Sequence, residues 1–362
     1  VKESIQRHVR GKRWVSVLAG AGVVVTTAIV LGAFWLAKDT RQAPPPKPPG
    51  LPKNVNQQLS GVTFNRTDNG QRLFVIHAAQ TLAYKEGGST LLKDVYVEYF
   101  GRSGKRYDIL KTPQGEYNPH TGNLSTPEDV ELVLNASPGQ MKGHAAGPGR
   151  SSQRASATGA DSRQPVYVKT SKVTSTQHGT QLESRTPVRF HLGDVSGSGR
   201  GLIYDSDNGE IVLKQDVHAV FHPGKGAKLG EPIEVSAARL RYAGPAEGVQ
   251  LWGPVKIHQG DRTLSASQGL ISLNSLNQIT QVLLQGSAHA MDKTGKGQLQ
   301  LQSDVLQGYL DPATHRLSKL DAAGHVRAGS AKNGTRARVE AHEVVLNFDP
   351  STHAPADGVA MG

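Results

Sequence analysis

The 362-residue chain has no cysteine, only three methionines and three tryptophans, and an aromatic fraction of 5%. The lack of thiols excludes a disulfide framework and a thiolate metal site, and it is neutral on the redox compartment. Helical periodicity is almost missing, which leaves little for a buried helix to pack against. Long hydrophobic runs are missing too, apart from one near the N-terminus, so the chain is too polar for a multispan membrane protein. It is still long enough for one or two stacked cores.

Most of the net charge of +11 sits in two places. Lys2, Arg7, Arg10, Lys12 and Arg13 stand against Glu3, and Lys142, Arg150, Arg154, Arg163, Lys169 and Lys172 stand against Asp161. The strand-rich remainder is nearly neutral, so no nucleic-acid partner is expected.

The one long apolar run is Val15–Ala37, which carries no charge. About 20 apolar residues span a bilayer as an α-helix, so residues 14–37 read as a membrane helix. Trp14 and Trp35 stand near its ends as interfacial anchors, and the basic tail at 1–13 places the N-terminus in the cytoplasm. A cleaved signal peptide competes, but the run is longer than an h-region of about 7–15 residues and no A-x-A site follows. Residues 38–58, with six prolines between Pro44 and Pro52, form a polyproline-type tether.

From Leu59 the pattern becomes that of strands. Phe74, Ile76 and Ala78 fall on one face of a strand with Arg72 alongside, and Val95, Val97 and Tyr99 oppose Asp94, Tyr96 and Glu98. Residues 135–164 lose all periodicity and read as a disordered loop. Strands resume at Val166, break at 222–230, and continue from Ile233.

One unit recurs: a tyrosine, a turn, then a polar or glycine step and a valine. It appears as Tyr117/Val130, Tyr204/Val217, Tyr242/Val255 and Tyr309/Val326, the last with a longer hairpin. The turn Asp311-Pro-Ala-Thr-His315 returns at Asp349 to His353, displaced by the same 38 residues that separate Tyr204 from Tyr242. This predicts an all-β, β-solenoid-like stack of antiparallel strands in which each unit buries its apolar face against its neighbours. With Gly362 soon after the last turn, the final hairpin is expected to have little or no return strand, as in a fragment or an edge paired by another chain.

Catalytic and metal signatures fail when tested residue by residue. Asp205-Ser-Asp207-Asn-Gly209 resembles a calcium loop but has Gly209 at a ligand position and Glu210 at the glycine position, so it reads as a turn. His218 and His222 would lie about 13 Å apart on a strand, too far to share a zinc ion. Gly197 to Gly201 precedes a strand rather than a helix, which argues against a phosphate cradle. Scattered carboxylates would be needed for a glycosidase pair, and their spacing selects none. The chain is therefore expected to be non-enzymatic, with no cofactor and no metal.

The basic segment, single membrane helix, proline tether and following strands resemble LptC, the membrane-anchored periplasmic component of the lipopolysaccharide exporter. The residues that carry this are Phe74, Ile76, Ala78, Tyr84, Leu92-Lys-Asp94-Val95 and Val97. A second half follows at Thr170, Val173, Thr186-Pro-Val188 and Gly199–Leu202. Residues 59–221 thus resemble one LptC-type domain, and residues 231–362 are similar to LptA/OstA repeats, incomplete at the C-terminus. The resemblance implies a β-jellyroll with an apolar trough that takes lipopolysaccharide from an inner-membrane ABC transporter. It further implies sheet-edge pairing with a periplasmic bridge protein or the outer-membrane translocon. It places the chain in the inner membrane, single-pass, with its bulk in the periplasm. The expected trough lining is Phe74, Ile76, Val95, Val97, Leu132, Leu213, Val217 and Val255, although an ordinary packed core would use each equally well. The alternative is an anchored structural or polysaccharide-binding β-stack.

Overall fold

The computed structural model describes residues 55–84, 88–101, 106–136, 164–223, 231–293, 297–312, 314–332, 335–349 and 355–362. The expected membrane helix with Trp14 and Trp35, the proline tether up to residue 54, and most of the 135–164 loop lie outside these. Among the described residues no helix is long and apolar enough to cross a membrane. Contacts gather the chain from Lys53 onward into one compact unit.

The regular structure is all strand, apart from one 3-10 turn at Gln177–Gly179. The first half comprises β1 (Val55–Asp68), β2 (Gln71–Tyr84), β3 (Thr90–Phe100), β4 (Tyr107–Asn118), β5 (Asn123–Ser125), β6 (Asp129–Leu134), β7 (Val166–Ser171), β8 (Thr174–Thr176), β9 (Gln181–Leu192) and β10 (Val195–Asp205). The second half comprises β11 (Glu210–Phe221), β12 (Ile233–Ala237), β13 (Arg239–Tyr242), β14 (Val249–Gln259), β15 (Arg262–Leu273), β16 (Ile279–Asp292), β17 (Gly297–Leu310), β18 (Leu317–Lys332), β19 (Thr335–Phe348) and β20 (Pro355–Met361).

All pairings are antiparallel and run as a meander from β1 to β20. In three rows two short strands share the place of one: β5 with β6, β7 with β8, and β12 with β13. Pairing passes from β11 to β12 and β13 without a break, and one hydrophobic cluster extends from Phe74 to Phe348.

Each long strand bends near its middle, and the bends align across the sheet. Asp94, Asp216, Ser287 and His325 adopt φ between 47° and 54°, and each is followed by a buried residue: Val95, Val217, Ala288 and Val326. Gly253 does the same work ahead of Val255, where an added Cβ would run into Ala238. This explains the recurring polar or glycine step before valine, because Asp, Asn, His and Gly tolerate the left-handed region better than branched residues do. A bend removes ladder hydrogen bonds, and hydroxyls restore partners to the backbone there. Thr112 donates to the Gln114 carbonyl (3.1 Å), Ser303 to that of Val305 (2.8 Å), and Ser184 to that of Ser171 (2.7 Å).

The aligned bends divide the sheet into two leaves. Leaf A holds the strand halves beside the turns at 119–122, 206–209, 243–248, 274–278 and 311–316, and leaf B holds the other halves. The leaves pack against each other with an offset, so that a leaf A residue meets leaf B residues from earlier in the chain. Tyr117 on leaf A lies 5.2 Å from Phe64 and 6.4 Å from Phe74 on leaf B, ring to ring, and Phe348 lies 5.2 Å beneath the Arg262 guanidinium.

Three local expectations change. β1 begins at Val55, inside the tether expected to run to residue 58, because backbone pairing with β2 holds a stretch whose side chains are mostly polar. The last hairpin does have a return strand: β20 pairs with residues 343–348 of β19, and Pro355 stands at its first position, where no ladder donor is needed. Tyr309 faces outward, whereas Tyr117 and Tyr204 are buried. Beside the longer hairpin the register with β18 shifts between Tyr309 and Leu310, and Leu310 packs against the core instead.

The bend makes a test. Asp216→Val, which forces a branched side chain to φ 54°, is expected to cost about 1–3 kcal/mol. Asp216→Gly is expected to be nearly neutral. Urea denaturation followed by circular dichroism reads the difference, and equal midpoints for the two variants would contradict the role assigned to the bend.

Candidate functional site: the apolar interior and its seam

The space between the leaves is lined by side chains in continuous cross-strand register. On leaf B the neighbours run Phe64, Ile76, Val97, Leu110, Leu132, Val168 and Phe190. The row continues through Gly197, Ala219, Val235, Ile257, Leu264, Ala290, Leu301, Ala328 and Val339. At about 4.8 Å per strand this unbroken apolar row is roughly 70 Å long. Leaf A carries a matching row from Leu202 through Leu213, Leu240, Leu251, Gly269, Leu284, Leu306 and Ala322 to Val344.

The residues singled out from the sequence all face this interior. Phe74, Ile76, Val95, Val97, Leu132, Val217 and Val255 belong to leaf B, Leu213 to leaf A, and all eight are buried in one cluster. Ile76, Val97 and Leu132 share the leaf B row, with Leu110 between the last two. Only Leu213 of the eight borders free volume, and the others are in contact with packed neighbours.

That free volume is a cavity of about 60 Å³ between the leaves, lined by Leu202, Ile211, Leu213, Ala219, Phe221, Val235 and other apolar side chains. It lies where the leaf B row narrows to Gly197 and Ala219, next to the stretch Gly201–Phe221 that joins the two expected modules. The Phe190 ring occupies the place a Gly197 side chain would take. The cavity is smaller than the ~150 Å³ void that takes up benzene, so the interior is closed as it stands.

The offset leaves uncover the row at its ends. Leu59 on leaf A of β1 is 44% exposed, and Val339 on leaf B of β19 is also 44% exposed. Val359 and Met361 add exposed apolar surface on the edge strand β20.

Along the seam where the leaf ends meet, polar groups hold the interior shut. Tyr204 donates a short hydrogen bond to Asp108, the Asn135 backbone N–H donates to the other carboxylate oxygen at 2.7 Å, and Arg106 donates to the Tyr204 hydroxyl at 3.0 Å. Arg106 Nε also lies 3.2 Å from Asp108 without forming a hydrogen bond. The guanidinium fills the space left by Gly209, where any side chain would collide with it. Burial pushes the Asp108 carboxyl above its ordinary range, although Arg106, Tyr204 and the Asn135 N–H pull it back. Burial likewise raises the Tyr204 hydroxyl well above its usual value. Farther along the seam, Gln259 on leaf B donates to the His315 carbonyl on leaf A at 3.0 Å.

Of these seam residues the sequence pointed to Tyr204, as the start of a recurring unit, but not to Arg106, Asp108 or Gln259. Asp108 and Tyr204 are 96 residues apart, and only the fold brings them together. His315 did carry a signal, as the end of the repeated Asp-Pro-x-Thr-His turn. Asp205, Asp207 and Asn208 form the turn expected of them: the Asp207 N–H donates to Asp205 and the Glu210 N–H to Asn208, both at 2.8 Å. His218 and His222 are exposed. Among the described residues no cluster of three or more His, Cys, Asp or Glu side chains is arranged to hold a metal ion.

Removing the Tyr204 hydroxyl leaves Asp108 buried with one partner fewer, so Tyr204→Phe is expected to cost about 1–3 kcal/mol in urea denaturation. Because the folded protein holds the Asp108 proton more tightly than the unfolded chain does, wild type gains stability as pH falls through the folded-state value toward the unfolded one. Asp108→Asn removes that gain, so the stability of wild type relative to Asp108→Asn is expected to rise from neutral pH toward pH 4. A difference independent of pH would refute the burial assignment. No protein-family model matches the chain, and no curated protein matches it, so the geometry and chemistry of the interior carry the functional reading.

Proposed function

We propose that this chain is a non-catalytic, membrane-anchored periplasmic bridge for lipopolysaccharide export, a β-jellyroll whose interior takes up acyl chains while the charged sugar headgroup stays in water. The observation that carries the reading is the unbroken apolar row from Phe64 to Val339, uncovered at its Val339 end. Antiparallel sheet with one apolar face offers acyl chains a place out of water, worth about 0.8 kcal/mol for each buried methylene. Stepwise movement needs many nearly equal sites rather than one deep one, and a row of Val, Leu, Ile and Ala side chains in register is suited to that. The free edge strands β1 and β20 are suited to pairing with a periplasmic bridge protein or an outer-membrane translocon. In the same reading, Val15–Ala37 anchors the chain in the inner membrane beside ABC transporter subunits, with the N-terminus in the cytoplasm.

The closed interior favours a second reading, in which the chain is an anchored structural or polysaccharide-binding β-stack and the packed leaves serve as a spacer. On the transport reading, an entering acyl chain must part the leaves, and the small side chains Ala288, Ala290, Ala322 and Ala328 leave the later strands the least packing to lose.

A photo-crosslinking amino acid at Val97, Leu132, Leu213 or Val255, in cells with an active exporter, is expected to capture lipopolysaccharide in an ATP-dependent manner. The outward position Glu98 is expected to capture none. Capture from Glu98 alone, or none from the four interior positions, would favour the spacer.

A further inference from the structure

Beside the apolar cavity lies a second one of about 120 Å³ with a different character, lined by Asp194, His222, Leu276, Asn277, Gln278 and His315 among others. The two share Leu192, Val195, Phe221 and Asn277 in their walls, so only these side chains separate an apolar chamber from a polar vestibule. The vestibule sits on the seam, where the turns before and after β10 and β11 on leaf B meet the turns at 274–278 and 311–316 on leaf A.

Its chemistry is specific. His315 is 4% exposed, and its ring Nδ1 is fully buried with no hydrogen-bond partner. A buried polar atom left so costs about 1–3 kcal/mol, a penalty that a bound ligand atom would relieve. Burial lowers the proton affinity of His315, although Asp194 and Asp311 stand near enough to raise it. Asn277 accepts from the Tyr242 hydroxyl at 3.1 Å, and Gln278 accepts from Asn274 at 2.9 Å, so the oxygens of both amides are engaged and their N–H groups are the donors left. Asn277 and His315 are also counterparts: each is buried, each adopts a positive φ (59° and 57°), and they are 38 residues apart, the spacing of the repeat.

We propose that the vestibule and chamber together form a lateral binding site for a single-chain amphiphile with an uncharged, hydrogen-bond-accepting head, of the monoacylglycerol type. The head takes the N–H groups of Asn277 and Gln278 and satisfies His315, and the chain passes Leu192 and Phe221 into the chamber. The carboxylates of Asp194 and Asp311 disfavour an anionic head at this place, which separates the site from one for a phosphorylated or carboxylated lipid. With about 60 Å³ on the apolar side, the chamber as it stands admits only the first part of a chain, and the rest enters by parting the packed leaves along the interior row. The inference goes beyond the transport reading and does not need lipopolysaccharide as the ligand.

The test uses the full chain with 1-monooleoylglycerol carrying a diazirine in its acyl chain, alongside the fatty acid and the alkane that carry the same group. The monoacylglycerol is expected to label peptides containing Leu192 and Phe221 at least about tenfold more than either comparison probe does, the scale set by losing a buried hydrogen bond. Asn277→Asp, which puts a charged acceptor in place of a donor, and His315→Asn, which keeps a residue tolerant of positive φ, are each expected to reduce that labelling about tenfold. Circular dichroism and the urea midpoint establish that both variants fold. Equal labelling by the alkane, preference for the fatty acid, or labelling unchanged in both folded variants would overturn the proposal. Capture of lipopolysaccharide at Val97 together with any of those results removes the lateral site alone. Head-selective labelling at Phe221 with no capture at Val97 removes the transport reading alone.

Discussion

The bend shared by every long strand is the constraint on which the rest depends. A flat meander of this length would expose one apolar face over its whole extent, and that face has nothing to cover it except another part of the same sheet. Folding each strand at the same row brings the two halves of the apolar face together. The cost is local: a left-handed residue at the corners of β3, β11, β14, β16 and β18 and the loss of ladder hydrogen bonds nearby. Asp94, Asp216, Gly253, Ser287 and His325 meet the first requirement, and the hydroxyls of Thr112, Ser184 and Ser303 meet the second. The buried Val or Ala soon after each corner then fixes which face turns inward.

The offset between the leaves follows from twist and pairing, and it decides where the interior is open. Because leaf A residues meet leaf B residues from earlier in the chain, the first strands of leaf A and the last strands of leaf B have no covering partner. A structure built this way is sealed along its length and apolar at its ends. In the proposed bridging role, the edge strands would supply backbone pairing with a neighbouring molecule where the apolar faces are exposed.

Polar groups buried in such a stack must be matched, and two groups of them on the seam differ in how far they are. The Arg106, Asp108 and Tyr204 group is nearly complete, with partners for both carboxylate oxygens, and it acts as a clasp between β4 and β10. The group around His315 is incomplete, with a buried nitrogen that has no partner. Arg106 Nε also lacks a hydrogen bond but lies 3.2 Å from the Asp108 carboxylate, whereas His315 borders the polar cavity.

The sequence by itself determined the strand class, the faces and most of the turns. Alternation along Phe74, Ile76 and Ala78 and along Val95, Val97 and Tyr99 is a local property, and so is the turn chemistry of Asp205 to Gly209. The recurrence of a polar or glycine step before valine was also legible, although its meaning as a bend was not. Tertiary structure decided what no local pattern encodes. The start of β1 and the existence of β20 come from backbone pairing, which needs no side-chain alternation. The outward turn of Tyr309 goes with a register shift beside a longer hairpin. The meeting of Asp108 with Tyr204, and of Asn277 and His315 with Phe221, depends on which strand of one leaf lies over which strand of the other. That offset is a sum of small twists over many strands, so it exists only once the whole sheet is formed.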